Sequence, residues 1–519
     1  MTSPQEPIYQ AELRGLAKSF GGVHANAGID LKVKKGSIHA VIGENGAGKS
    51  TAMKMLYGIY SPDAGEIFVG GTSRHWKSPR DAIHAGVGMV HQHFMLAEPE
   101  TALENVLLEG APSRDIFAWI PSFLRPMNRS IARKDLQALS KKYHLEVNWD
   151  LPIHDLPVGV QQRIEILKLL YRDASVLILD EPTAVLTPQE TEQLFANLKT
   201  LAREGKTILI ITHKLKEVMT LADRVTVFRA GRVVGNREIE ETSPEDLASL
   251  MVGRKVSLKV AAPPAKTPGA PVLEIQSAVL HSHGHRGRLN LRVREGEVVG
   301  IAGVEGNGQS ELLELLLHPS DFAREGAQEF RYFGQSAEKW NAARVREAGV
   351  SMIPEDRHRD GLLLESPLTE NYLLGLQMRK PFRTDAGFIS FGSLREKTEA
   401  AIREYDVRPA SADAIAGRLS GGNQQKLIIA REFESKPKFL IAAQPTRGVD
   451  VGAIEMIHER ILRARNEGTG VLLISSELDE VLALSDRVLV MYEGSIVAEF
   501  SRAEADEHRI GFFMGGGHA

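Results

Sequence analysis

Short runs with little polar alternation recur along the chain: Ile38–Ile42, Val176–Leu179, Ile208–Ile211 and Val471–Ile474. Such runs are the mark of strands buried on both faces. Stretches with helical patterning, such as Thr51–Leu56, lie between them. Strands alternating with helices predict an α/β fold, a mainly parallel sheet flanked by helices. The stretch from Gln92 to about Leu156 is helix-rich throughout and predicts a separate helical lobe. No apolar run approaches the ~20 residues needed to span a bilayer, so a membrane role must pass through a partner.

The pattern occurs twice. Gln92 recurs as Glu355, Gly159 as Gly422, Pro182 as Pro445, His213 as Ser476 and Asp223 as Asp486, each pair 263 residues apart. One fixed offset over so long a span means a duplicated domain, and the period is far too long for a solenoid. At 519 residues the chain also exceeds what one core organises. The Pro- and Ala-rich stretch around 258–271 reads as a semi-rigid linker. The expected division is a first domain at 1–255, a linker at 256–270 and a second domain at 271–519.

Composition narrows the class. The chain is 43% hydrophobic and 25% charged, as in globular proteins. A net charge of −4 gives no footprint for nucleic acid. The absence of cysteine excludes disulfides, iron–sulfur clusters and thiolate zinc sites. The first seven residues show no basic-then-apolar leader pattern.

The chemistry begins at Gly43-Glu44-Asn45-Gly46-Ala47-Gly48-Lys49-Ser50, with Thr51 opening the next helix. Glycines there let backbone N–H groups curl around a phosphate, and the helix start favours an anion. Lys49 is placed to bridge the β- and γ-phosphates of ATP, and the Ser50 hydroxyl to ligate Mg²⁺. Val176–Leu179 ends in Asp180-Glu181. Asp180 can hold the Mg²⁺ shell, and Glu181 can accept a proton from the attacking water. Gln92 follows another short strand and can touch the metal or the water; His213 can contact the γ-phosphate. His91 and His93 beside Gln92, and His281, His283 and His285 in a later turn, read as ordinary packing and solvated loop.

The two copies are damaged in complementary ways. The first has an intact phosphate loop but, at Leu156-Pro157-Val158-Gly159-Val160, a broken helix start. The second keeps Leu419-Ser420-Gly421-Gly422-Asn423 but has Gln309 in place of Lys49 and Ala443-Gln444 in place of Asp180-Glu181. A hydroxyl and exposed N–H groups at a helix start suit a phosphate. Two composite sites, each built from both copies, explain the sorting: one keeps every good part and the other collects every bad one. Glu355 and Ser476 further weaken the second site, which is expected not to hydrolyse ATP; whether it binds nucleotide stays open. Phe20 reads either as a ring stacked on adenine or as an aromatic of its own strand's core.

With these motifs in place, the whole chain resembles the twin-cassette ATP-binding subunit of an ABC importer. Walker A is Gly43–Ser50, the Q-loop residue Gln92, Walker B Val176–Asp180, the catalytic acid Glu181, the switch histidine His213 and the trans signature Leu419–Asn423. Val90–Leu96, Leu179–Pro188 and Gly303–Gln309 are similar to the purine-nucleoside and simple-sugar branch, nucleoside members more than sugar ones. The resemblance implies two tandem P-loop ATPase domains, each a RecA-like core with a helical subdomain and a small antiparallel β subdomain. It implies cassettes paired head to tail, ATP and Mg²⁺ as ligands, and no nucleic acid. It also implies two transmembrane permease subunits, an extracytoplasmic substrate-binding protein acting indirectly, and a place on the cytoplasmic face of a bacterial membrane. Phe94 and Met95 read equally as permease contacts or as packing of the helical lobe. The rivals are a monosaccharide importer, a soluble twin-cassette ATPase acting on ribosomes or DNA, and an ATP-sensing module without turnover.

Overall fold

The computed structural model describes residues 8–21, 23–92, 94–108, 129–183, 186–254, 267–282, 285–322, 329–449 and 451–517. The chain divides into two compact units, Met1–Val256 and Ser257–Ala519. Most of the expected linker, as far as residue 266, falls outside the described residues, as do His93 and His283.

The described residues of the first unit contain ten strands: β1 (Tyr9–Phe20), β2 (Val23–Lys34), β3 (Ile38–Gly43), β4 (Ala64–Val69), β5 (Thr72–Arg74), β6 (Val87–Val90), β7 (Val176–Asp180), β8 (Thr207–Ile211), β9 (Arg224–Arg229) and β10 (Arg232–Glu238). Six form one sheet in the order β10-β9-β3-β8-β7-β6. Its pairings are parallel except for the β9–β10 hairpin. Every residue of β3, β6, β7 and β8 is buried, which is why these segments read as continuous apolar runs. The other four strands make an antiparallel sheet, β2-β1-β4-β5. There alternation returns: β2 buries Ile29, Leu31 and Val33 and exposes the residues between them.

Helices Ala102–Leu107, Arg129–Lys142 and Val158–Tyr171 form the helical region expected after Gln92. Start signals written in the sequence operate here. Thr101 and Glu104 close a capping box on the first of these helices. Thr187 and Glu190 do the same, with Pro188 at the first position, on helix Pro188–Arg203.

The second unit repeats the plan with β11 (Pro271–Ser282), β12 (His285–Arg294), β13 (Val298–Ala302), β14 (Glu329–Tyr332), β15 (Gln335–Ser336), β16 (Val350–Ile353), β17 (Phe439–Ala443), β18 (Gly470–Ser475), β19 (Arg487–Tyr492) and β20 (Ser495–Ser501). The orders β12-β11-β14-β15 and β16-β17-β18-β13-β19-β20 match those of the first unit strand for strand. His281 and His285 close the β11–β12 hairpin. Among the described residues no helix is long and apolar enough to cross a membrane.

One buried polar group makes a stability prediction. His39 lies in β3, fully enclosed, with Nε2 2.8 Å from the Thr226 hydroxyl. Burial, then the charges of Arg224 and Lys34, push its pKa down to about 3. A histidine depressed in the folded state favours folding above its unfolded pKa, and that contribution is lost as pH falls. Between pH 6.5 and 3 this residue alone gives a slope of about 1.4 kcal/mol per pH unit. Lowering pH from 7 to 5 is expected to cost the native protein about 2 kcal/mol more than it costs His39→Gln. Urea unfolding at both pH values measures it; parallel losses in the two proteins would refute the assignment.

Candidate functional site

The candidate site of the first unit gathers at the C-terminal ends of β3, β6, β7 and β8, the end of a parallel sheet where ligands bind. β3 runs into the phosphate loop, and helix Lys49–Leu56 follows at once. Gly48 caps that helix in the left-handed region at φ 96°. A Cβ there would collide with the carbonyl of Ala25 and the side chain of Asn26. Buried Asn26 donates to the Gly48 carbonyl at 3.1 Å, fixing the loop from beneath. No motif marks Asn26 in the sequence; its role comes from β2 lying alongside the loop.

Lys49 is buried, and its Nζ donates to the carbonyls of Gly43 (2.7 Å) and Glu44 (3.0 Å). Burial lowers its pKa, opposed by the carboxylates of Glu181, Asp180 and Glu44. The lysine therefore spans the loop that it is expected to give up to phosphate oxygens. Asp180 ends β7, buried, with the Ser50 hydroxyl bonded to it. Burial, then the neighbouring Glu181, raises its pKa to about 6, against the pull of Ser50, Lys49 and Lys54.

Glu181 follows at φ 48°, so the chain turns sharply after the strand. Its carboxylate is held from two sides: Gln92 Nε2 donates to Oε2 at 3.0 Å, and His213 Nδ1 lies 2.9 Å from Oε1. Burial raises its pKa, but the His213 hydrogen bond and charge, with Lys49 and Lys214, outweigh burial and hold it below the usual value. Gln92, Glu181 and His213, far apart in sequence, thus form one cluster. Phe20 is 43% exposed, and its ring meets Tyr60 edge-on with centroids 5.1 Å apart. It lies on the antiparallel sheet, at the end of β1.

The second unit keeps the shape of the phosphate loop and loses its lysine and the acid pair. Gly306 and Gly308 take φ 94° and 111°, close to the 79° and 96° of Gly46 and Gly48. Gln309 fills the position of Lys49: its Oε1 accepts from the Asn307 amide and its Nε2 donates to the Val304 carbonyl, both at 3.0 Å. Ser310 donates to Glu355 at 2.8 Å. Gln444 stands where Glu181 does, at φ 46°, and its Oε1 accepts from the Ser476 amide and hydroxyl, both at 3.1 Å. The lysine and the acid pair have given way to neutral side chains, while the Glu355 carboxylate stands where Gln92 does.

The two helix starts differ as much. Ser420 precedes helix Gly421–Glu434, and its side chain caps no backbone N–H. Its hydroxyl instead accepts from Asn423 Nδ2 at 2.8 Å, so the first-turn amides keep their capacity for an anion. At the other start, Val158–Tyr171, Gly159 abuts the Glu190 carboxylate closely enough that a Cβ would collide with it. That start already carries a negative charge; the 421–434 start has the Arg357 guanidinium beside it.

Twin parallel-sheet cores, one with a complete phosphate loop, acid pair, glutamine and histidine, define a P-loop nucleotide hydrolase of two cassettes. The ABC transporter family profile matches residues 27–184 and 287–447, and the chain belongs to that family as one of its ATPases. It is 45% identical over 513 residues to the guanosine import ATP-binding protein of Bacillus subtilis, covering 98% of each chain. It is 45% identical over 543 residues to the glucose import ATP-binding protein of Haloferax volcanii, covering 99% of this chain and 96% of that one. It is 42% identical over 508 residues to the nucleoside import ATP-binding protein of Lactococcus lactis, covering 97% of each. Among solved structures, the complex of archaeal ribosomal stalk protein aP1 and ribosome recycling factor aABCE1 matches at TM-score 0.60 and 18% identity, over 94% of this chain and 90% of that one. At that identity the likeness is one of fold.

Proposed function

We propose that this chain is the ATP-hydrolysing subunit energising an importer of nucleosides. The observation that carries the ATPase assignment is the Glu181 carboxylate held between Gln92 and His213 beside a complete phosphate loop. Residues Gly43–Thr51 cradle the phosphates, and Lys49 exchanges its two carbonyl partners for the β- and γ-oxygens. Ser50, Asp180 and the Gln92 amide offer the hard oxygen donors that suit Mg²⁺. Bound there, the ion neutralises charge developing on the transferred phosphoryl group. Glu181 accepts the proton of the attacking water while His213 and Gln92 orient its carboxylate. Residues 420–423 supply the anion-binding helix start that the first unit lacks, and the second phosphate loop contributes no hydrolysis.

The partners are two permease subunits, with a binding protein outside the membrane, and the chain works from the cytoplasmic face of a bacterial membrane. A cavity of about 290 Å³, lined by apolar Ile83, Met89 and Met95 and by charged Glu165, Lys168 and Arg172, supports docking of a permease segment after Gln92. Met95, one of its lining residues, is 67% exposed.

Nucleosides are favoured by the names of the Bacillus and Lactococcus relatives, a guanosine and a nucleoside import protein. The equal identity to a glucose import protein supports the second reading, a monosaccharide importer. Disrupting the gene is expected to abolish uptake of radiolabelled guanosine and leave glucose uptake intact; the reverse result would select the sugar.

A further inference from the structure

The start of helix Gly421–Glu434 is braced by one side chain that the ATPase motifs do not include. Arg357 opens a tight turn, Arg357–Gly361, two residues after Glu355. Its Nη1 donates to the Arg447 carbonyl at 2.8 Å. Its Nη2 lies so close to the helix start that a Cβ on Gly421 would stand 2.6 Å from it, and one on Gly448 3.1 Å. The guanidinium is wedged between the start of the helix and the 446–449 turn. The same turn carries the neighbouring braces. His358 Nε2 lies 2.9 Å from Gln424 Oε1, and Asp356 accepts from the His358 and Arg359 amides. Glu355 is bonded to Ser310, and Arg447 pairs with Glu305 at 3.2 Å. The degenerate phosphate loop is thereby tied to the turn that holds the helix start.

The arrangement is electrostatically uphill. A cation at the positive end of a helix opposes the helix dipole, and burial costs the guanidinium hydration. Of the links around it, Glu305–Arg447 is exposed and worth little by itself. The half-buried contact of Arg357 with a backbone carbonyl and two glycines is the stiffer link. The first copy has Phe94 at the matching position and no such brace can form there.

We propose that Arg357 is a positioning residue for ATP hydrolysis: it holds Ser420–Gly422 in place against the 446–449 turn, using the turn that replaced the second copy's Q-loop. The proposal rests on the reading that residues 420–423 serve ATP held by residues 43–51. The test uses the full chain with its permeases, comparing Arg357→Ala, Arg357→Lys and Ser420→Arg. Arg357→Ala is expected to lower kcat about tenfold or more, with MgATP affinity, measured in a Glu181→Gln background, within about twofold of the parent. Arg357→Lys, which keeps an N–H for the Arg447 carbonyl, recovers most of the rate. A kcat for Arg357→Ala within about twofold of wild type, or a loss of affinity equal to the loss of rate, overturns the proposal. Should Arg357→Ala not fold, Arg357→Gln keeps a neutral donor but stops short of the guanidinium's reach, and is judged by the same criteria. Full activity in Ser420→Arg sinks the underlying reading instead; an inactive Ser420→Arg beside a fully active Arg357→Ala sinks the brace alone.

Discussion

Glu181→Gln is expected to abolish ATP turnover while leaving ATP bound. The substitution keeps the size and planarity of the side chain and its turn at φ 48°. An amide oxygen still accepts from Gln92 or His213, so the cluster at 3.0 and 2.9 Å need not collapse. What disappears is the carboxylate that Gln92 and His213 hold in place to take the proton of the attacking water. Loss of a positioned general base lowers rates by about 10²–10⁴-fold. Binding rests on other groups: the loop amides, Lys49 and the Ser50–Asp180 pair. Removing the Glu181 charge also relieves its raising influence on Lys49, but a lysine facing a triphosphate remains charged. Phosphate release and filter-bound radiolabelled ATP measure the two quantities on one sample. Turnover near that of the wild type would refute the general-base role, and loss of ATP would show that Glu181 binds rather than reacts.

Much of this was readable because parallel-sheet chemistry is local. A buried strand must be apolar throughout, and its last residue must deliver the polar group, so Val176–Asp180 and Ile38–Gly43 declare both fold and function. Gln92 and His213 were legible from their places after short strands and their spacing from the loop and the acids. Their direct bonds to Glu181 were not, because side-chain hydrogen bonds between β6, β7 and β8 ends depend on strand order. Asn26 and Arg357 were illegible for the same reason. Each acts on a glycine far away in sequence, Gly48 or Gly421, and a glycine's neighbour leaves no trace in its own spacing. Phe20 shows the opposite limit: an aromatic before a phosphate loop can be named, but its packing on Tyr60 is set by tertiary contact.

The two helix starts should answer mutation very differently. Ser420→Arg is expected to reduce ATPase activity as severely as Lys49→Ala, by about 10- to 100-fold, the scale of losing a charge-assisted hydrogen bond. Val158→Arg should change it by less than about threefold. Ser420 is exposed, and its hydroxyl is held by Asn423 above amides that no side chain caps. A guanidinium at that position covers those amides and adds charge beside Arg357, so the start can no longer receive a phosphate. Val158 opens a helix whose first turn already faces the Glu190 carboxylate. That charge repels a phosphate in the native chain, and Glu190 is committed to its capping box with Thr187. An added arginine there meets an acid and a half-exposed surface, and it is expected to remove nothing that hydrolysis uses. Steady-state ATPase rates of the three variants, each checked for an unchanged melting temperature, decide the matter. Equal losses at 420 and 158 would mean that both starts serve competent sites, and the asymmetric division of labour between the copies would have to be abandoned.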